Sequence, residues 1–340
     1  MTDDRTLYIG TDHALYRARP GGDGRWRAEG LALAGLGGVR GLLIDPAEPR
    51  RWWACTAEHG VLVTADEGIT WRERNDGLPP GGEGWCLARD PATGELWYGA
   101  GPVSIFRSAD GGQTWKACCD AGGHEPAPDA TPESRHAGRV RHIALGAGGL
   151  VLAAIEEGWL LRSEDGGATW AHVRDGIDRD CHAASLIPGP ADGDPDTVIV
   201  TTGTGVYRSE DLGRSFAHSD DGLRHRSVTQ VVVHPDRPDV LFTAAAESDP
   251  ELSARRPEGA GGGFYRSDDG GRTWWRLTGG VPESLRPAPT CVAGDPGDPD
   301  SLYVGMTDGS VWFTHDGGES FTIAVEGIQG WVRHLLLARR

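Results

Sequence analysis

A phrase of eight residues recurs along this chain and constrains its fold more than any other feature. It reads Ser/Thr-x-Asp-x-Gly-x-Thr/Ser-Trp/Phe and occurs six times. The copies span residues 64–71, 108–115, 163–170, 209–216, 267–274 and 314–321. A degenerate seventh copy at 18–26 keeps three glycines and the final tryptophan. The six copies follow one another at intervals of 44 to 58 residues, and self-similarity at such intervals predicts a repeat architecture.

The residue types of the phrase predict a stapled turn between two strands. An aspartate side chain accepts hydrogen bonds from backbone amides just ahead of it, and the glycine adopts a positive φ without steric cost. The closing tryptophan or phenylalanine buries a large apolar area against its neighbours. We therefore interpret these aspartates as structural and not as catalytic candidates.

The phrase resembles the Asp-box (BNR) repeat, and the resemblance covers nearly the whole chain. Proteins with this repeat include sialidases, xyloglucanases, sortilin-type receptors and the photosystem II assembly factors of photosynthetic organisms. The resemblance implies a β-propeller fold. It implies little about function, because function depends on the site that each propeller carries.

The distances between the closing aromatic residues predict the number of blades. These residues stand at 26, 71, 115, 170, 216, 274 and 321, so the spacings are 45, 44, 55, 46, 58 and 47. A period near 45 is typical of a four-stranded propeller blade. The 19 residues after Phe321 and the 26 up to Trp26 together make one further period. We predict an all-β, single-domain, seven-bladed propeller over residues 1–340, closed by pairing of the C-terminal strand with the N-terminal blade.

Two long intervals in the repeat predict long loops at 116–138 and 247–262. Both segments are rich in proline, glycine and charge. The first joins an outer strand to the next inner strand, and the second joins strands two and three. In a propeller these connections emerge on the face opposite the repeated turns. We expect the functional surface on that face, because binding residues concentrate on loops.

Composition excludes several classes of partner. The formal net charge is −17, which argues against binding to nucleic acid or to an anionic membrane surface. No apolar run reaches the length of a transmembrane helix, and Met1–Arg5 does not read as a signal peptide. The six cysteines form no CxxC pair, so we predict reduced thiols in a cytoplasmic protein. Lys116 is the only lysine, which indicates a GC-rich bacterial source.

Cationic and aromatic residues at the start of the inner strands predict an anion-binding mouth. Guanidinium groups suit carboxylates, sulfates and phosphates through bidentate contacts. The alternative is that the arginines pair with nearby carboxylates such as Glu83, Asp180 and Glu283. The residues that we predict to bind the ligand are Arg40, Trp85, Arg141, His142, Arg179, His182, His225, Arg333 and His334. By contrast, arginines at a repeated position in strand three predict a structural role, and these are Arg17, Arg107, Arg162, Arg208 and Arg266.

Histidines and cysteines in the same region leave two further interpretations open. His182 and His225 have the chemistry of a general acid or base, or of a ligand contact without proton transfer. Cys86, His142, Cys291 and His334 recur at one inner-strand position, where a soft-metal site or a semi-polar channel lining are alternatives. A second group, Cys118 and Cys119 with His124 and His136, lies in the first long loop. We predict no metal and no cofactor.

Some of the proteins that the chain resembles are enzymes, and the residues that their mechanisms need can be compared with those of this chain. Sialidases use a tyrosine nucleophile, whereas all six tyrosines here fall at repeated positions of strands two and three. Xyloglucanases place two aspartates in a cleft between two propellers, and one propeller has no such cleft. The photosystem II assembly factors are seven-bladed and carry an arginine-rich patch. We predict a cytosolic propeller that binds an anionic small molecule or an acidic protein segment; the alternative is a glycoside hydrolase- or lyase-type enzyme that uses the same face.

Overall fold

The computed structural model describes residues 4–22, 25–31, 37–119, 138–189, 196–250, 256 and 259–339. Within these ranges the strands form seven antiparallel sheets arranged as propeller blades. The strands are β1 (Arg5–Thr11), β2 (Leu15–Pro20), β3 (Trp26–Gly30), β4 (Val39–Ile44), β5 (Trp52–Thr56), β6 (Gly60–Thr64), β7 (Arg72–Glu73), β8 (Glu83–Arg89), β9 (Leu96–Gly101), β10 (Ser104–Ser108), β11 (Lys116–Cys119), β12 (Arg139–Leu145), β13 (Val151–Glu156), β14 (Trp159–Ser163), β15 (Ala171–Val173), β16 (Cys181–Ile187), β17 (Thr197–Thr202), β18 (Gly205–Ser209), β19 (Ala217–His218), β20 (Ser227–Val228), β21 (Val232–Val233), β22 (Leu241–Ala246), β23 (Gly263–Ser267), β24 (Trp275–Leu277), β25 (Pro289–Asp295), β26 (Asp298–Met306), β27 (Val311–Thr314), β28 (Thr322–Val325) and β29 (Val332–Arg339).

The second strand of each blade is an apolar run because it is covered on both sides. Every residue of β5, β9 and β22 is buried. The buried apolar side chains form clusters that are shared between neighbouring blades, with one cluster at each of the seven interfaces among the described residues. Burial between blades is the main favourable term for such a ring, because a single sheet leaves both of its faces exposed.

The ring closes between the two ends of the chain. Strand β29 lies at the inner edge of the first blade and pairs antiparallel with β1, from Arg5 opposite Arg339 to Gly10 opposite His334. The sheet order is β29-β1-β2-β3, so the first blade takes its inner strand from the other end of the chain. The predicted closure is confirmed. Strand β29 thereby covers the inner edge of β1, which would otherwise be open for pairing with another molecule.

The repeated turn is held by its aspartate. In the copy at 108–115, Oδ1 of Asp110 accepts hydrogen bonds from the Ser108 hydroxyl at 2.7 Å and from the backbone amides of Gln113 and Thr114 at 2.9 and 3.0 Å. Its Oδ2 accepts the Thr114 hydroxyl at 2.6 Å. The bonds from Thr114 are the main cause that lowers the pKa of Asp110 to about 2. Every acceptor position of this carboxylate faces the turn, which confirms a structural role.

The same turn also joins each blade to its neighbour. The backbone amide and the Nε1 of Trp115 each donate to the preceding blade at 2.8 Å, to the carbonyls of Asp76 and Arg74. The preceding blade also donates to this turn, through arginines of its third strand. Arg162, for example, donates to the backbone carbonyl of Leu212, in the repeated turn of the following blade, at 2.7 Å. The other arginines with this contact are Arg107, Arg208 and Arg266. The predicted structural role is confirmed for these four residues, whereas Arg17 pairs with Glu29 inside its own blade.

Hydrogen bonds between connections define the two faces of the ring. The amide of Gly166, in a repeated turn, donates to Gly149, in the connection between strands one and two of the same blade. The amide of Gly203, between strands two and three, donates to Asp180, just before an inner strand. The starts of the inner strands therefore lie on the face opposite the repeated turns, as expected. Below, this face is called the upper face.

Part of one predicted loop is a strand, and one inner strand is interrupted. Residues 116–119, predicted as loop, form the outer strand β11, because the chain must complete the third blade before it leaves. Residues 120–137 of that predicted loop, including both of its histidines, lie outside the described residues. The inner strand of the sixth blade is interrupted, and β20 and β21 pair separately with β22. In the described part of the chain, no helix is long and apolar enough to cross a membrane.

Candidate ligand-binding site

A bulge near the start of the inner strand occurs in blade after blade and brings the candidate residues together. In β4, Val39 pairs with Thr56 and Gly41 with Cys55, so Arg40 is the extra residue. A bulge of this kind bends the strand and redirects the side chain of the extra residue. The corresponding extra residues in the other blades are Trp85, Arg141, His182, Thr290 and Arg333. In the sixth blade the interruption between β20 and β21 takes the place of the bulge.

These residues surround a cavity of about 190 Å³ on the axis of the ring. Pro250 also lines it, so the second long loop reaches the axis at the upper face. Seven of the nine residues predicted to bind the ligand line the cavity, namely Arg40, Trp85, Arg141, His142, His182, Arg333 and His334. Among all its described lining residues there are three arginines and three histidines but no carboxylate.

Two of the predicted residues, Arg179 and His225, lie away from the axis. The Nε of Arg179 contacts Glu157 at 3.0 Å, in the connection between β13 and β14. The Nδ1 of His225 lies 2.5 Å from the hydroxyl of Tyr265 on β23, a third strand. Burial, followed by the charges of nearby arginines, lowers the pKa of His225. The repeat places inner strands around the axis but does not determine the path of the loops that precede them.

Each arginine of the cavity has a carboxylate partner. Arg40 contacts Glu83 of the next blade at 2.7 Å, and its guanidinium stacks on Trp85 at 3.6 Å from the ring centroid. This pair confirms the alternative that the arginines neutralise nearby carboxylates. The other two pairs, Arg141 with Glu156 at 2.9 Å and Arg333 with Asp12 at 2.6 Å, involve carboxylates that the sequence did not single out.

The arginines around Glu156 favour the ionised form of its carboxyl group. Burial alone would raise the pKa of its carboxyl group, but the charges of Arg141 and Arg139 outweigh burial and lower the pKa. The Nη1 of Arg139 contacts the same carboxylate at 3.1 Å. The bond from Arg141 uses only its Nη1, so among the described contacts Nε and Nη2 of Arg141 are available to a ligand.

His182 is also held by an acceptor on each side. Its Nδ1 lies 2.7 Å from the carbonyl oxygen of Val228 in the next blade, and its Nε2 lies 3.3 Å from Oδ2 of Asp180. An imidazolium can donate at both ends in this geometry. Burial acts to raise the pKa of Asp180, but the charge and the hydrogen bond of His182 outweigh burial and lower it to about 2.

A second ring of residues forms the deeper wall of the cavity. Cys86 and Cys291 belong to it, and their thiols donate to carbonyls of the neighbouring blade, those of Val140 at 3.2 Å and Val332 at 3.9 Å. Burial raises the pKa of each thiol to about 12. Among the described residues, no three His, Cys, Asp or Glu side chains are grouped so that they could hold a metal ion. This wall therefore presents neutral thiols to the cavity.

His142 and His334 stand on opposite sides of this second ring, in the fourth and first blades. Burial lowers the pKa of each imidazole to about 4, so both are neutral at pH 7. The Nε2 of His334 faces the carbonyl oxygen of Leu42 at 3.2 Å. The Nδ1 of His142 and the Nε1 of Trp85 are buried and have no hydrogen-bond partner among the described residues. Buried polar atoms without partners are rare in native proteins, and a bound group or a water molecule commonly accounts for them.

A larger opening of about 970 Å³ lies at the outer rim, between the first and seventh blades. There Phe313 occupies the strand-three position that arginine holds in five other blades. We assign the candidate site to the axial cavity because several polar side chains converge there on a small enclosed volume.

Comparison with known proteins identifies the architecture. No protein-family model and no curated protein matches the sequence. Among solved structures, the GH74 enzyme of Niastella koreensis is similar at 18% identity and a TM-score of 0.63, over 85% of this chain and 45% of that one. The GH74 xyloglucanase of Xanthomonas campestris is similar at 21% identity and a TM-score of 0.62, over 84% of this chain and 45% of that one.

A third structure, YCF48 bound to D1 peptide, is similar at 15% identity and a TM-score of 0.55, over 96% of this chain and 87% of that one. The chain thus spans less than half the length of the GH74 enzymes and most of the length of YCF48. At such identities the likeness concerns the fold. The protein is an all-β, seven-bladed propeller of four-stranded blades, with the architecture found in GH74 enzymes and in YCF48.

Proposed function

We propose that the axial cavity of this propeller binds an anion, either a small anionic molecule or an acidic side chain of a protein segment. The observation that supports this proposal is the composition of the cavity wall, which has three arginines, three histidines and no carboxylate among its described residues. In a chain of net charge −17, such a wall is a local exception. Donors that converge in an enclosed space favour an anionic ligand.

The size of the cavity limits the ligand. Sites for drug-sized molecules typically enclose about 300–1,000 Å³, whereas this cavity measures about 190 Å³. A small carboxylate, a sulfate or phosphate group, or one acidic side chain fits this scale. The stacking of Arg40 on Trp85 holds one guanidinium in a fixed plane. A pre-oriented guanidinium loses less conformational entropy when it binds a planar carboxylate.

The protein-segment form of the proposal has support from a protein of the same architecture. YCF48 is similar over most of both chains, and its structure is bound to D1 peptide. In this chain, Pro250 of the second long loop lies at the cavity wall, so a segment that enters the cavity would also meet this loop. For this form we propose an acidic segment, because a glutamate or aspartate side chain can accept hydrogen bonds from the guanidinium groups of the wall.

The enzyme alternative has less support from the same wall. Canonical glycoside hydrolysis uses two carboxyl groups that flank the scissile bond, about 5–10 Å apart. The nearby carboxylates Glu83, Glu156, Asp12 and Asp180 are each engaged by an arginine or a histidine. Two further proposals accompany the binding function. The turn geometry supports membership of the Asp-box family, and we propose a cytoplasmic location, which cell fractionation would check.

A thermal-shift and calorimetry screen tests the binding function. Sulfate, phosphate, small carboxylates and an oligo-glutamate peptide are offered to the wild type and to Arg333→Gln/Asp12→Asn. This double variant removes one guanidinium together with its carboxylate partner, and among the described contacts no other charged group loses a partner. We expect stabilisation of the wild type by at least one anion, with a clear loss in the double variant. Arg214→Gln, in a repeated turn on the opposite face and 54% exposed, is the control and should behave as the wild type.

Two results would oppose this function. If no anion stabilises the wild type, or if the double variant responds equally, the axial cavity is not an anion site. If the protein hydrolyses a glycoside in a parallel panel, the enzyme alternative becomes the better supported function.

A further inference from the structure

The arginines of the axial cavity cannot supply net positive charge by themselves. Arg40, Arg141 and Arg333 each face one carboxylate at 2.6–2.9 Å, and His182 faces Asp180. An anion that enters the cavity finds hydrogen-bond donors, but the positive charge of those donors is already balanced. Its own charge would remain uncompensated in a partly dehydrated space, which is costly.

Two groups in the wall have no carboxylate partner among the described residues, and these are His142 and His334. Both are neutral near pH 7. The carbonyl oxygen of Leu42 accepts from Nε2 of His334, so the proton of this neutral ring is on Nε2 and Nδ1 can accept another. In His142, Nδ1 has no hydrogen-bond partner among the described residues. Each ring can therefore gain a proton without breaking a described hydrogen bond.

We propose that anion binding in the axial cavity is coupled to proton uptake by His142 and His334. This inference rests on the proposed function and adds its regulation by pH. The remaining charged or titratable groups of the cavity wall are Arg40, Arg141, Arg333, His182, Cys86 and Cys291. The arginines stay charged, and the two buried thiols stay protonated, at physiological pH. His182 faces a carboxylate, whereas His142 and His334 have no such partner among the described residues, and we assign the proton uptake to these two imidazoles.

The direction of the effect follows from linkage. Without ligand, burial keeps the pKa of both rings near 4, below the ordinary value of 6.5. A bound anion favours the imidazolium and raises the pKa, so the complex holds more protons than the free protein. Affinity for the anion therefore increases as the pH falls. For each proton taken up, the dissociation constant decreases by about tenfold per pH unit. The two rings compete for the same anion charge, so we expect one proton per anion.

Isothermal titration calorimetry with sulfate tests the coupling, because sulfate keeps its charge between pH 8 and pH 6. This range stays above the sequence pI of about 5.1. Titrations at constant ionic strength use two cationic buffers that differ in ionisation enthalpy. We expect the dissociation constant to fall between pH 7 and pH 6, with a limit of about tenfold when one full proton is taken up. The apparent enthalpy should differ between the buffers by an amount that corresponds to about one proton.

Substitutions assign the effect to the two rings. The overall negative charge of the protein also decreases as the pH falls, which gives every variant a weak background dependence. His142→Gln/His334→Gln should retain only that background, and the glutamine amide at position 334 can still donate to Leu42. His315→Gln, on the repeated-turn face and 68% exposed, is the matched control and should keep the full dependence. If the double variant does not fold, the imidazole resonances of the wild type, followed by NMR with and without sulfate, report the same shift.

The outcomes separate this inference from the function beneath it. Sulfate binding with the same affinity at every pH and no buffer effect overturns the coupling and leaves the anion site in place. A pH dependence that persists in His142→Gln/His334→Gln, or imidazole titrations that sulfate does not move, removes these residues from it. If sulfate, phosphate, small carboxylates and oligo-glutamate all fail to bind between pH 8 and pH 6, both proposals fail.

Discussion

The contact from Arg162 to the following blade provides a quantitative test of how the ring is held together. Arg162 is only 6% exposed, and its Nε donates to the carbonyl of Leu212 at 2.7 Å. Arg162→Leu keeps most of the apolar stem but leaves that carbonyl without its charged donor. Loss of a hydrogen bond to a charged group costs about 1.5–3 kcal/mol. We expect the free energy of unfolding to fall by about this amount, 1.5–3 kcal/mol.

Equilibrium unfolding in urea, followed by tryptophan fluorescence and circular dichroism, measures this loss. Arg17→Leu is the matched control, because Arg17 holds the same position in the first blade but pairs with Glu29, which is 59% exposed. A surface pair of that kind contributes about 0–1 kcal/mol. If the two variants unfold at the same urea concentration, the arginine-to-carbonyl contact does not hold adjacent blades together.

Three further predictions concern buried or strained groups. The pKa values of His142 and His334 are near 4 in the folded protein and about 6.5 in the unfolded chain, so the unfolded state binds more protons between these values. Urea unfolding at pH 7.5 and 5.5 should show that the free energy of unfolding is lower at pH 5.5 by about 1 kcal/mol per ring. This loss should be absent when both residues are glutamine. Glu67 has a φ of 60°, in the left-handed region where four other copies of the turn have glycine; Glu67→Gly should raise the free energy of unfolding by about 0.5–1 kcal/mol, and a lower midpoint in urea would contradict this account of strain. Cys86 and Cys291 are buried with pKa values raised to about 12; mass spectrometry should find both unmodified after iodoacetamide treatment at pH 8 and modified in urea, whereas rapid labelling of the folded protein would oppose their burial.

Much of the fold could be predicted because each blade carries its own local staple. The hydrogen bonds of Asp110 lie within a few residues of each other, so the sequence alone contains the whole turn. The closing aromatic residue stands at the same position in every blade, and the spacing between these residues therefore predicts the number of blades. Closure by β29 followed from the same period, since one blade's length is divided between the two ends.

The candidate site was less predictable because it depends on contacts between distant segments. The sequence placed arginines at the start of the inner strands, but the pairing of Arg333 with Asp12 joins residues 321 positions apart. The bulges that direct Arg40 and Arg141 toward the axis leave no local signature in composition. Arg179 and His225 lie in short, irregular segments just before inner strands, and these segments place both residues away from the axis.

The pairing of β29 with β1 determines how the ring responds to a mechanical load. Arg5 lies opposite Arg339, and Thr11 lies opposite Val332, so both chain ends leave the sheet at the same end of this strand pair. A force that separates Arg5 from Arg339 loads the hydrogen bonds one after another, as a zipper opens, instead of shearing them all together. The first blade should therefore open at low force when the ends are pulled, although the same strand pair closes the ring against thermal unfolding. Attachment points within a different blade would load the ring elsewhere and should require a higher force.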